Sequence, residues 1–305
     1  MSPRNTNSSR TKYALITGAS SGIGFALAKE FSRKGYKVFA CSPKQFIPLQ
    51  DPLVAEFGVI SIPCDITNLE DLKHVKDVVL KETGGYLDIL YNNAGIAIGG
   101  PATEMDEAQL DRIFQVNVIG HINATKYLSP FVINAKGSII YTSSVAARVP
   151  LSWTSAYSAT KAAIDAYAKT LHGEMAPFGV RVHSVITGGV DTEIAAGVPI
   201  ETIEALYEGS KYNVEGIVDC MIETQEMSHN SRYSPAKYAK EMVSQIGRNS
   251  TRFNLYGGFK AYLLHFISRW FPLWLVEFLI QSNFKQRRVL KNVAKNVRAK
   301  KIKYD

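Results

Sequence analysis

The sequence predicts a doubly wound α/β fold: a single domain with a parallel sheet covered by helices on both faces. Short apolar runs alternate with longer helical stretches through most of the 305 residues, and this alternation is typical of parallel sheets with crossover helices. With 46% hydrophobic and 20% charged residues, the composition excludes disordered and fibrous classes. We assign the α/β domain to residues 11–250 and a C-terminal apolar and basic extension to residues 255–305.

The elements are predicted in order from residue 13 onwards. Residues 13–16 form an apolar run that a Gly/Ser turn ends, residues 23–34 have a helical pattern that Gly35 ends, and residues 37–40 form the next apolar run. Further buried strands are predicted at 59–62, 89–91, 137–141 and 180–186, with helical segments between them. We find no internal repeat or clean linker before residue 250, so one domain is expected.

The net charge of +8 is concentrated at one end of the chain. Of the 35 basic and 27 acidic residues, nine basic and one acidic residue lie in 281–305, so positions 1–280 hold 26 of each. A nucleic-acid-binding body would carry a basic excess of its own, so nucleic acid is not an expected partner. The three cysteines form no CxxC pair and the histidines no ligand-like pair, so we expect neither disulfides nor a metal site.

A glycine-rich turn, TGASSGIG at 17–24, follows the first predicted strand and opens the first predicted helix. Glycines permit a tight turn and close backbone approach, and the N–H groups at a helix N-terminus attract a pyrophosphate. Strand, turn and helix come in the order that dinucleotide binding requires. The pattern therefore predicts a nucleotide site, and a bare structural turn is the alternative.

The end of the second predicted strand indicates which dinucleotide binds. NAD-dependent enzymes usually have an acidic residue there for the ribose 2′-hydroxyl, but no acid occurs here before Asp51. Ser42 and Lys44 suit a 2′-phosphate instead, which predicts NADPH or NADP⁺. The alternative for Lys44 is a solvated loop lysine.

Tyr157 and Lys161 are four residues apart in a helical segment, so their side chains share one face. An ammonium group near a phenol lowers the pKa of the phenol, which suits Tyr157 to proton transfer near neutral pH. An isolated pair of this kind is more often a surface feature. Ser144 at the end of a predicted strand, and NNAG at 92–95 after the preceding strand, favour a catalytic site instead.

These motifs together resemble the short-chain dehydrogenase/reductase family. TGxxxGxG, NNAG, Asn117, Ser144 and the Tyr157–Lys161 pair occur in the family's order and spacing, and the resemblance covers about residues 11–250. It implies a Rossmann-type sheet that binds its cofactor at the carboxyl ends of the strands.

The resemblance also implies roles for individual residues. Tyr157 would protonate the substrate carbonyl, Lys161 would depress the pKa of Tyr157 and hold the nicotinamide ribose, and Ser144 would orient the carbonyl. Asn117 would complete a proton relay through water. Cofactor contacts are implied for Gly18, Ser20, Ser21, Gly22, Ile23, Gly24, Ser42, Lys44, Asp65, Ile66, Asn93, Lys126, Tyr157, Lys161, Val190 and Thr192.

The turn after the sixth strand departs from the family pattern. Relatives usually have Pro-Gly there, whereas residues 187–192 are TGGVDT, whose glycines still permit the turn. ITGGV, YNNAG and GHINATK at 120–126 resemble one fungal branch, which reduces the keto group of 1-acyldihydroxyacetone phosphate to 1-acylglycerol 3-phosphate in phosphatidic acid synthesis. A steroid (17-keto) or retinol dehydrogenase and a non-catalytic lipid-droplet adaptor are the alternatives.

Residues 192–235 correspond to the family's substrate lid. Their apolar residues suit a lipid-like ketone substrate, although an amphipathic helix packed on a core has the same pattern. The apolar lid residues are Ile194, Val198, Ile200, Ile203, Leu206, Tyr207, Ile217, Val218, Met221 and Ile222. Lys211, Arg148 and Arg232 are candidates for contact with a substrate phosphate.

Residues 255–280 are strongly apolar and aromatic, but Lys260, Pro272 and other polar residues interrupt them. A spanning helix needs about 20 mostly apolar residues, so an in-plane anchor, supported by the basic end of the chain, is favoured. A helix that closes the substrate pocket or joins two subunits is the alternative, and a homo-oligomer remains possible. The resemblance implies the endoplasmic reticulum membrane or lipid droplets, with the catalytic domain facing the cytosol.

Overall fold

The computed structural model describes residues 10–192, 194, 207–226, 233–247 and 251–299. Its strands are β1 (Lys12–Thr17), β2 (Tyr36–Ser42), β3 (Ile60–Pro63), β4 (Ile89–Asn92), β5 (Ser138–Ser144), β6 (Arg181–Thr187) and β7 (Asn254–Gly257). All seven strands are parallel in one sheet of order β3-β2-β1-β4-β5-β6-β7. The predicted doubly wound α/β class is confirmed.

Helices connect the strands and cover both faces of the sheet. Those described are α1 (Gly22–Arg33), α2 (Asp51–Phe57), α3 (Leu69–Thr83), α4 (Glu107–Phe114), α5 (Gly120–Ala135), α6 (Ser155–Met175), α7 (Ile217–Glu226), α8 (Pro235–Gly247), α9 (Ala261–Trp270), α10 (Leu273–Asn283) and α11 (Gln286–Ala299). Short 3-10 turns occupy Lys44–Gln50, Val145–Ala147 and Ala176–Phe178, and a π-helical turn occupies Gln115–Ile119.

The strands are apolar almost throughout because both of their faces are buried. Successive strand residues point to opposite faces, so Leu15 packs in one core with Leu128 of α5. Its neighbour Ile16 packs in the second core with Leu27 of α1 and Met242 of α8. This double burial explains why the sequence shows continuous apolar runs.

The strand order reverses on either side of β1, which pairs with β2 on one edge and with β4 on the other. The connections on the two sides lead to opposite halves of the sheet, which leaves a crevice at the carboxyl ends of these strands. The residues predicted to be functional lie around that crevice.

The seventh strand was not predicted. It pairs with β6 from Ser184 opposite Asn254 to Thr187 opposite Gly257, and most of it falls within the predicted extension at 255–305. The strand has only four residues and runs directly into the apolar aromatic stretch, so the sequence has no boundary between them. The α/β domain therefore continues through Gly257.

The apolar stretch at 255–280 also contains two separate helices. Helix α9 ends at Trp270, and Pro272 immediately precedes α10, because proline cannot continue a helix. Val276 and Ile280 of α10 are buried against Val149 of the domain. Among the described helices, none has the length and apolar content needed to span a bilayer.

The basic end of the chain packs on the predicted lid. Val289 of α11 is fully buried in a cluster with Ile217 and Met221 of α7. Arg288 pairs with Glu215, whose carbonyl oxygen accepts a hydrogen bond from Asn292 at 3.1 Å. The charge pattern indicated a separate appendage, but in the structure residues up to 298 are part of the fold. The remaining residues of the predicted tail, including Lys300, Lys301 and Lys303, lie outside the described ranges.

Candidate active site

The turn after β1 lies directly against the loop after β4. Gly18 has a φ of +65°, and a Cβ there would lie 2.7 Å from the Cα of Ala94. A Cβ at Gly24 would lie 2.0 Å from the carbonyl oxygen of Gly18, so α1 starts against the turn. The Ser21 side chain does not cap α1, so it leaves the N–H groups of the first turn available to an anion.

The start of α1 also meets the turn after β6. A Cβ at Gly22 would lie 3.1 Å from the Cγ2 of Thr192. Two residues earlier, Val190 is buried in the core that also contains α1. The structure therefore brings Gly18, Gly22 and Thr192 to one crevice, with Ser20 and Ile23 partly exposed on the same turn.

Asn93 fixes the shape of this crevice. Its Nδ2 donates to the carbonyl oxygens of Thr17 at 3.1 Å and Gly18 at 3.3 Å, and its Oδ1 accepts from the hydroxyl of Thr142 at 3.2 Å. The amide is thus bonded to two neighbouring segments of the protein, the turn after β1 and strand β5. A direct contact between Asn93 and the cofactor stays a prediction.

Asn117 is fully buried in the π-helical turn that joins α4 to α5. Its Oδ1 accepts from the N–H of Ile96 at 2.9 Å, and its Nδ2 donates to the carbonyl oxygen of Ile96 at 2.9 Å and to the hydroxyl of Thr160 at 3.1 Å. It therefore links the loop after β4 to α6. A π-helical turn inside a helix is frequent at functional sites.

Ser144 and Tyr157 meet at the carboxyl end of β5. Ser144 is the last residue of the strand, and Tyr157 lies in the first turn of α6. Burial raises the pKa of Tyr157, while a hydrogen bond from Ser144 opposes that effect. The expected lowering of the tyrosine pKa by Lys161 is therefore not found: in this structure burial has the larger effect.

Lys161 lies beneath the tyrosine, with its Nζ 5.7 Å from the centroid of the Tyr157 ring. Its side chain is almost fully buried, and its Nζ donates to the carbonyl oxygen of Thr142 at 3.0 Å. Burial lowers the pKa of Lys161 to about 8. A Cβ at Gly95 would lie 3.5 Å from the same Nζ and 3.3 Å from the Oδ1 of Asn117, so the four predicted catalytic residues form one cluster.

Ser42 is not placed to meet a 2′-phosphate. It is buried at the end of β2, where its hydroxyl donates to the carbonyl oxygen of Cys41 at 2.8 Å and accepts from the Nε2 of Gln50 at 2.9 Å. Gln50 in turn accepts from Ser61 at 2.5 Å. This network shapes the loop on which Lys44 is exposed, so Lys44 is the member of the predicted pair that a ligand can reach.

Three further residues were predicted to contact the cofactor: Asp65, Ile66 and Lys126. Asp65 follows β3 and accepts hydrogen bonds from the N–H and the hydroxyl of Thr67, at 2.9 and 2.7 Å. Ile66 is buried, and a Cβ at Gly120 would lie 2.7 Å from its Cγ1. Lys126 is exposed on α5, and its predicted cofactor contact stays a prediction.

A cavity of about 940 Å³ opens beside Tyr157 and Ser144. One wall comes from the predicted lid, including Tyr207, Met221 and Thr224. Val198, Ile200, Ile203, Leu206 and Arg232 lie outside the described residues. Of the described apolar residues predicted for the lid, Ile194, Tyr207 and Met221 line the cavity. The others, Ile217, Val218 and Ile222, belong to the apolar cluster around Val289.

Helices α9 and α10 form a further wall of the cavity. Closure of the substrate pocket by this segment was the alternative to a membrane anchor in the sequence analysis. The cavity lining there includes Leu263, Ile267, Leu279 and Phe284. The apolar character of this segment was the signal available in the sequence, but the same residues fit a membrane anchor equally well. Of the two described phosphate candidates, Arg148 pairs with the buried Asp165 and neither it nor Lys211 lines the cavity.

The comparisons with known proteins agree with this site. The sequence model of the short chain dehydrogenase family matches residues 12–202. This range includes the glycine-rich turn, Asn117, Ser144, Tyr157 and Lys161. The chain belongs to the short-chain dehydrogenase family. It is therefore an oxidoreductase, and the predicted family membership is confirmed.

Two curated fungal relatives carry the same name, NADPH-dependent 1-acyldihydroxyacetone phosphate reductase. The protein from Saccharomyces cerevisiae is 39% identical over 293 residues, covering 93% of this chain and 96% of that protein. The protein from Schizosaccharomyces pombe is 38% identical over 204 residues, covering 66% of this chain and 68% of that protein. A solved short-chain dehydrogenase from Streptomyces avermitilis has a TM-score of 0.70 at 28% identity, covering 85% of this chain and 92% of that one.

Proposed function

We propose that this protein uses NADPH to reduce the keto group of 1-acyldihydroxyacetone phosphate, giving 1-acylglycerol 3-phosphate for phosphatidic acid synthesis. The observation that carries the proposal is the large, mainly apolar cavity that has Ser144 and Tyr157 in its lining. Such a cavity suits an acyl chain, and the hydroxyl groups suit a carbonyl. The similarity to two fungal reductases of this lipid along most of the chain supports the same substrate.

The crevice fits a dinucleotide of the NADP type. Glycine is required at positions 18 and 24 by the close approach of Ala94 and of the Gly18 carbonyl, and the first turn of α1 presents N–H groups with no acidic residue beside them. Lys44 is exposed after β2, where it suits a 2′-phosphate. NADPH bound here supplies the hydride for carbonyl reduction.

Residues of the protein supply the proton that carbonyl reduction needs and then replace it. Tyr157 keeps its proton at neutral pH because burial raises its pKa, so it is ready to donate that proton to a carbonyl oxygen. Ser144 is within hydrogen-bond reach of the same phenol and holds the carbonyl beside it. Lys161 and Asn117 complete the path by which Tyr157 regains a proton from water.

The substrate is tested by measuring NADPH oxidation with three ketones: 1-acyldihydroxyacetone phosphate, the same lipid without its phosphate, and a 17-ketosteroid. We expect the highest kcat/KM for the phosphate-bearing lipid. Turnover of the steroid alone would replace the proposed substrate and keep the catalytic residues. Turnover of none of the three would refute the proposed reaction.

We also propose that the outer faces of α9 and α10 bind the surface of the endoplasmic reticulum membrane or of a lipid droplet. Trp270 and Trp274 are 71% and 67% exposed, and large aromatic side chains of this kind favour lipid interfaces. Their neighbours Tyr262, Phe266, Phe271, Leu273 and Phe278 are also exposed. The inner faces of the same helices line the cavity, which would let a lipid pass between membrane and site.

Flotation with anionic vesicles tests this membrane surface. Deleting residues 255–305 would remove β7 and part of the cavity wall, so the double variant Trp270→Glu, Trp274→Glu is a better choice. We expect it to lose flotation while retaining its thermal stability. The control Phe178→Glu changes a 51% exposed phenylalanine on the loop after α6 and should float like wild type; flotation of the double variant would refute the proposal.

A further inference from the structure

Lys260 is the one cationic side chain among the described residues that line the substrate cavity. Most of the wall is apolar, and its acidic members are Glu104 and Glu223. In the sequence, Lys260 is only a polar residue that interrupts an apolar segment. The structure places it at the start of α9, on the cavity wall.

The two acidic residues of the wall are already bonded to other groups. Glu104 accepts hydrogen bonds from the hydroxyl of Ser210 at 2.5 Å and from the N–H of Lys211 at 3.1 Å. Glu223 forms an ion pair with Lys285 at 3.3 Å. Within the described part of the chain, Lys260 has no carboxylate at ion-pair distance. Its Nζ lies 5.0 Å from the centroid of the exposed Phe259 ring, so no ion pair with a described residue has to break before the ammonium meets an anionic ligand.

The backbone holds Lys260 at the end of the sheet where the catalytic residues lie. Ser144 pairs with Thr187, and Thr187 pairs with Gly257. The chain then continues through Phe259, whose N–H donates to the carbonyl oxygen of Gly189 at 2.8 Å and whose carbonyl oxygen accepts from the Gly189 N–H at 3.2 Å. Lys260 is the next residue along the chain.

The conformation of Lys260 is unusual for its residue type. It has a φ of +57°, in the left-handed region that favours glycine. Strained backbone of this kind persists where surrounding contacts impose it and is frequent at ligand sites. The ladder bonds of Phe259 on one side and α9 on the other hold the backbone of Lys260 in this conformation.

We propose that Lys260 binds the phosphate of the lipid substrate and so sets the enzyme's preference for a phosphorylated ketone. This inference rests on the proposed function and identifies the residue that selects the head group. In 1-acyldihydroxyacetone phosphate only a methylene and an oxygen separate the carbonyl carbon from the phosphorus. A cation near the catalytic end of the cavity therefore holds the carbonyl beside Tyr157 and leaves the acyl chain to the apolar wall.

Binding to the protein in the presence of NADPH tests the inference without turnover, because an alcohol probe and the reduced cofactor cannot react with each other. The probes are 1-hexanoylglycerol 3-phosphate and 1-hexanoylglycerol, whose short chains keep both monomeric, and inorganic phosphate serves as a competitor. We expect wild type to bind the phosphate-bearing lipid at least about tenfold more tightly, since hydrogen bonds to charged groups contribute more than neutral ones. Lys260→Gln should lose this preference and Lys260→Arg should keep it.

Two further variants act as controls. Lys240→Gln changes an exposed lysine on α8, away from the cavity lining, and should bind both lipids like wild type. If Lys260→Gln does not fold, Lys260→Asn replaces it, because asparagine tolerates the left-handed conformation. Displacement of the lipid by inorganic phosphate from wild type, but not from Lys260→Gln, would add support.

Failure of this inference and failure of the proposed function are distinguishable. Equal affinity of wild type for the two lipids, or an unchanged preference in Lys260→Gln, would overturn the role of Lys260 even if the reductase activity is present. A preference that depends on Lys260 without any reduction of the acyl ketone would support phosphate binding and refute the proposed reaction.

Discussion

The carbonyl oxygen of Phe259 lies where a side chain at Gly188 would begin: an ideal Cβ there would be 2.1 Å from that oxygen. This close approach allows the ladder bonds between Gly189 and Phe259. It gives a physical reason for glycine at position 188, directly after β6. The glycine lets the segment after β7, including Lys260, cross over the end of β6 and reach the cavity.

We expect Gly188→Ala to displace this crossing segment. The added methyl group has no space against backbone, so the free energy of unfolding should fall by about 1–3 kcal/mol or more, and carbonyl reduction should fall with it. Gly173→Ala is the matched control, because Gly173 lies in exposed helix with open space at its Cβ position. That control should gain roughly 0.5–1 kcal/mol. Equal denaturation midpoints for the two variants would contradict this account.

Tyr157→Phe should remove the proton donor while leaving the shape of the site intact. Loss of a general acid lowers rates by about 10²–10⁴-fold, so we expect kcat to fall by at least that range and NADPH affinity to stay nearly unchanged. Steady-state kinetics and titration of NADPH fluorescence measure the two effects. Tyr262→Phe, at an exposed position on α9, should match wild type in both. Full activity in Tyr157→Phe would refute the catalytic role of the tyrosine.

Ser144→Ala should change the pH dependence of the reaction in a defined direction. Reduction needs protonated Tyr157, so activity is lost as pH rises through the pKa of its phenol. The hydrogen bond from Ser144 lowers that pKa, and its removal should move the alkaline limb of the pH profile to higher pH. The plateau rate should also fall by about a hundredfold, because a polar group at the carbonyl is lost.

The control for this variant is Ser138→Ala, at the opposite end of β5. It should leave the alkaline limb where it is in wild type. An unchanged limb in Ser144→Ala, or one that moves to lower pH, would exclude the proposed interaction between Ser144 and Tyr157.

Lys161 should make the free energy of unfolding depend on pH, in the range between the pKa of Lys161 in the folded protein and its pKa in the unfolded chain. Burial lowers its pKa from 10.5 to about 8, so between these values the unfolded chain binds more protons than the folded one. Stability from this residue then rises with pH across the window and is constant below it. Relative to Lys161→Met, wild type should gain up to about 3 kcal/mol from pH 8 to 10.5.

Urea denaturation of the protein at a series of pH values measures this difference. Lys240→Met changes an exposed lysine on α8 and should follow wild type across the series. A constant difference between wild type and Lys161→Met would show that Lys161 does not titrate in this window.

The sequence predicted the sheet and the catalytic cluster because both depend on local patterns. Strands buried on two faces appear as apolar runs, and the spacing of Tyr157 and Lys161 places them on one helical face. The predicted lowering of the Tyr157 pKa by Lys161 was wrong, because burial raises that pKa. Whether Tyr157 has a raised or lowered pKa depends on how deeply the folded protein buries it, which spacing does not reveal.

The C-terminal part was harder to predict because each of its apolar helices has one face on the cavity and another exposed at the surface. Leu263 and Leu279 line the cavity, whereas Trp270 and Trp274 of the same helices are exposed. The sequence shows only a continuous apolar stretch, and neither β7 nor the cavity wall can be separated from it. Ser42 shows the same limit: its type suits a phosphate, but the contact with Gln50 that buries its hydroxyl is visible only in the fold.

Transfer of deuterium tests the central claim most directly. The purified protein is incubated with 1-acyldihydroxyacetone phosphate and NADPH that carries deuterium at both C4 positions of the nicotinamide, and the lipid product is examined by mass spectrometry. We expect 1-acylglycerol 3-phosphate with one deuterium on the carbon that was the ketone, formed at least about a hundredfold more slowly by Tyr157→Phe. NADPH oxidation without deuterium in the lipid, or formation of the labelled product by Tyr157→Phe at the wild-type rate, would contradict the account.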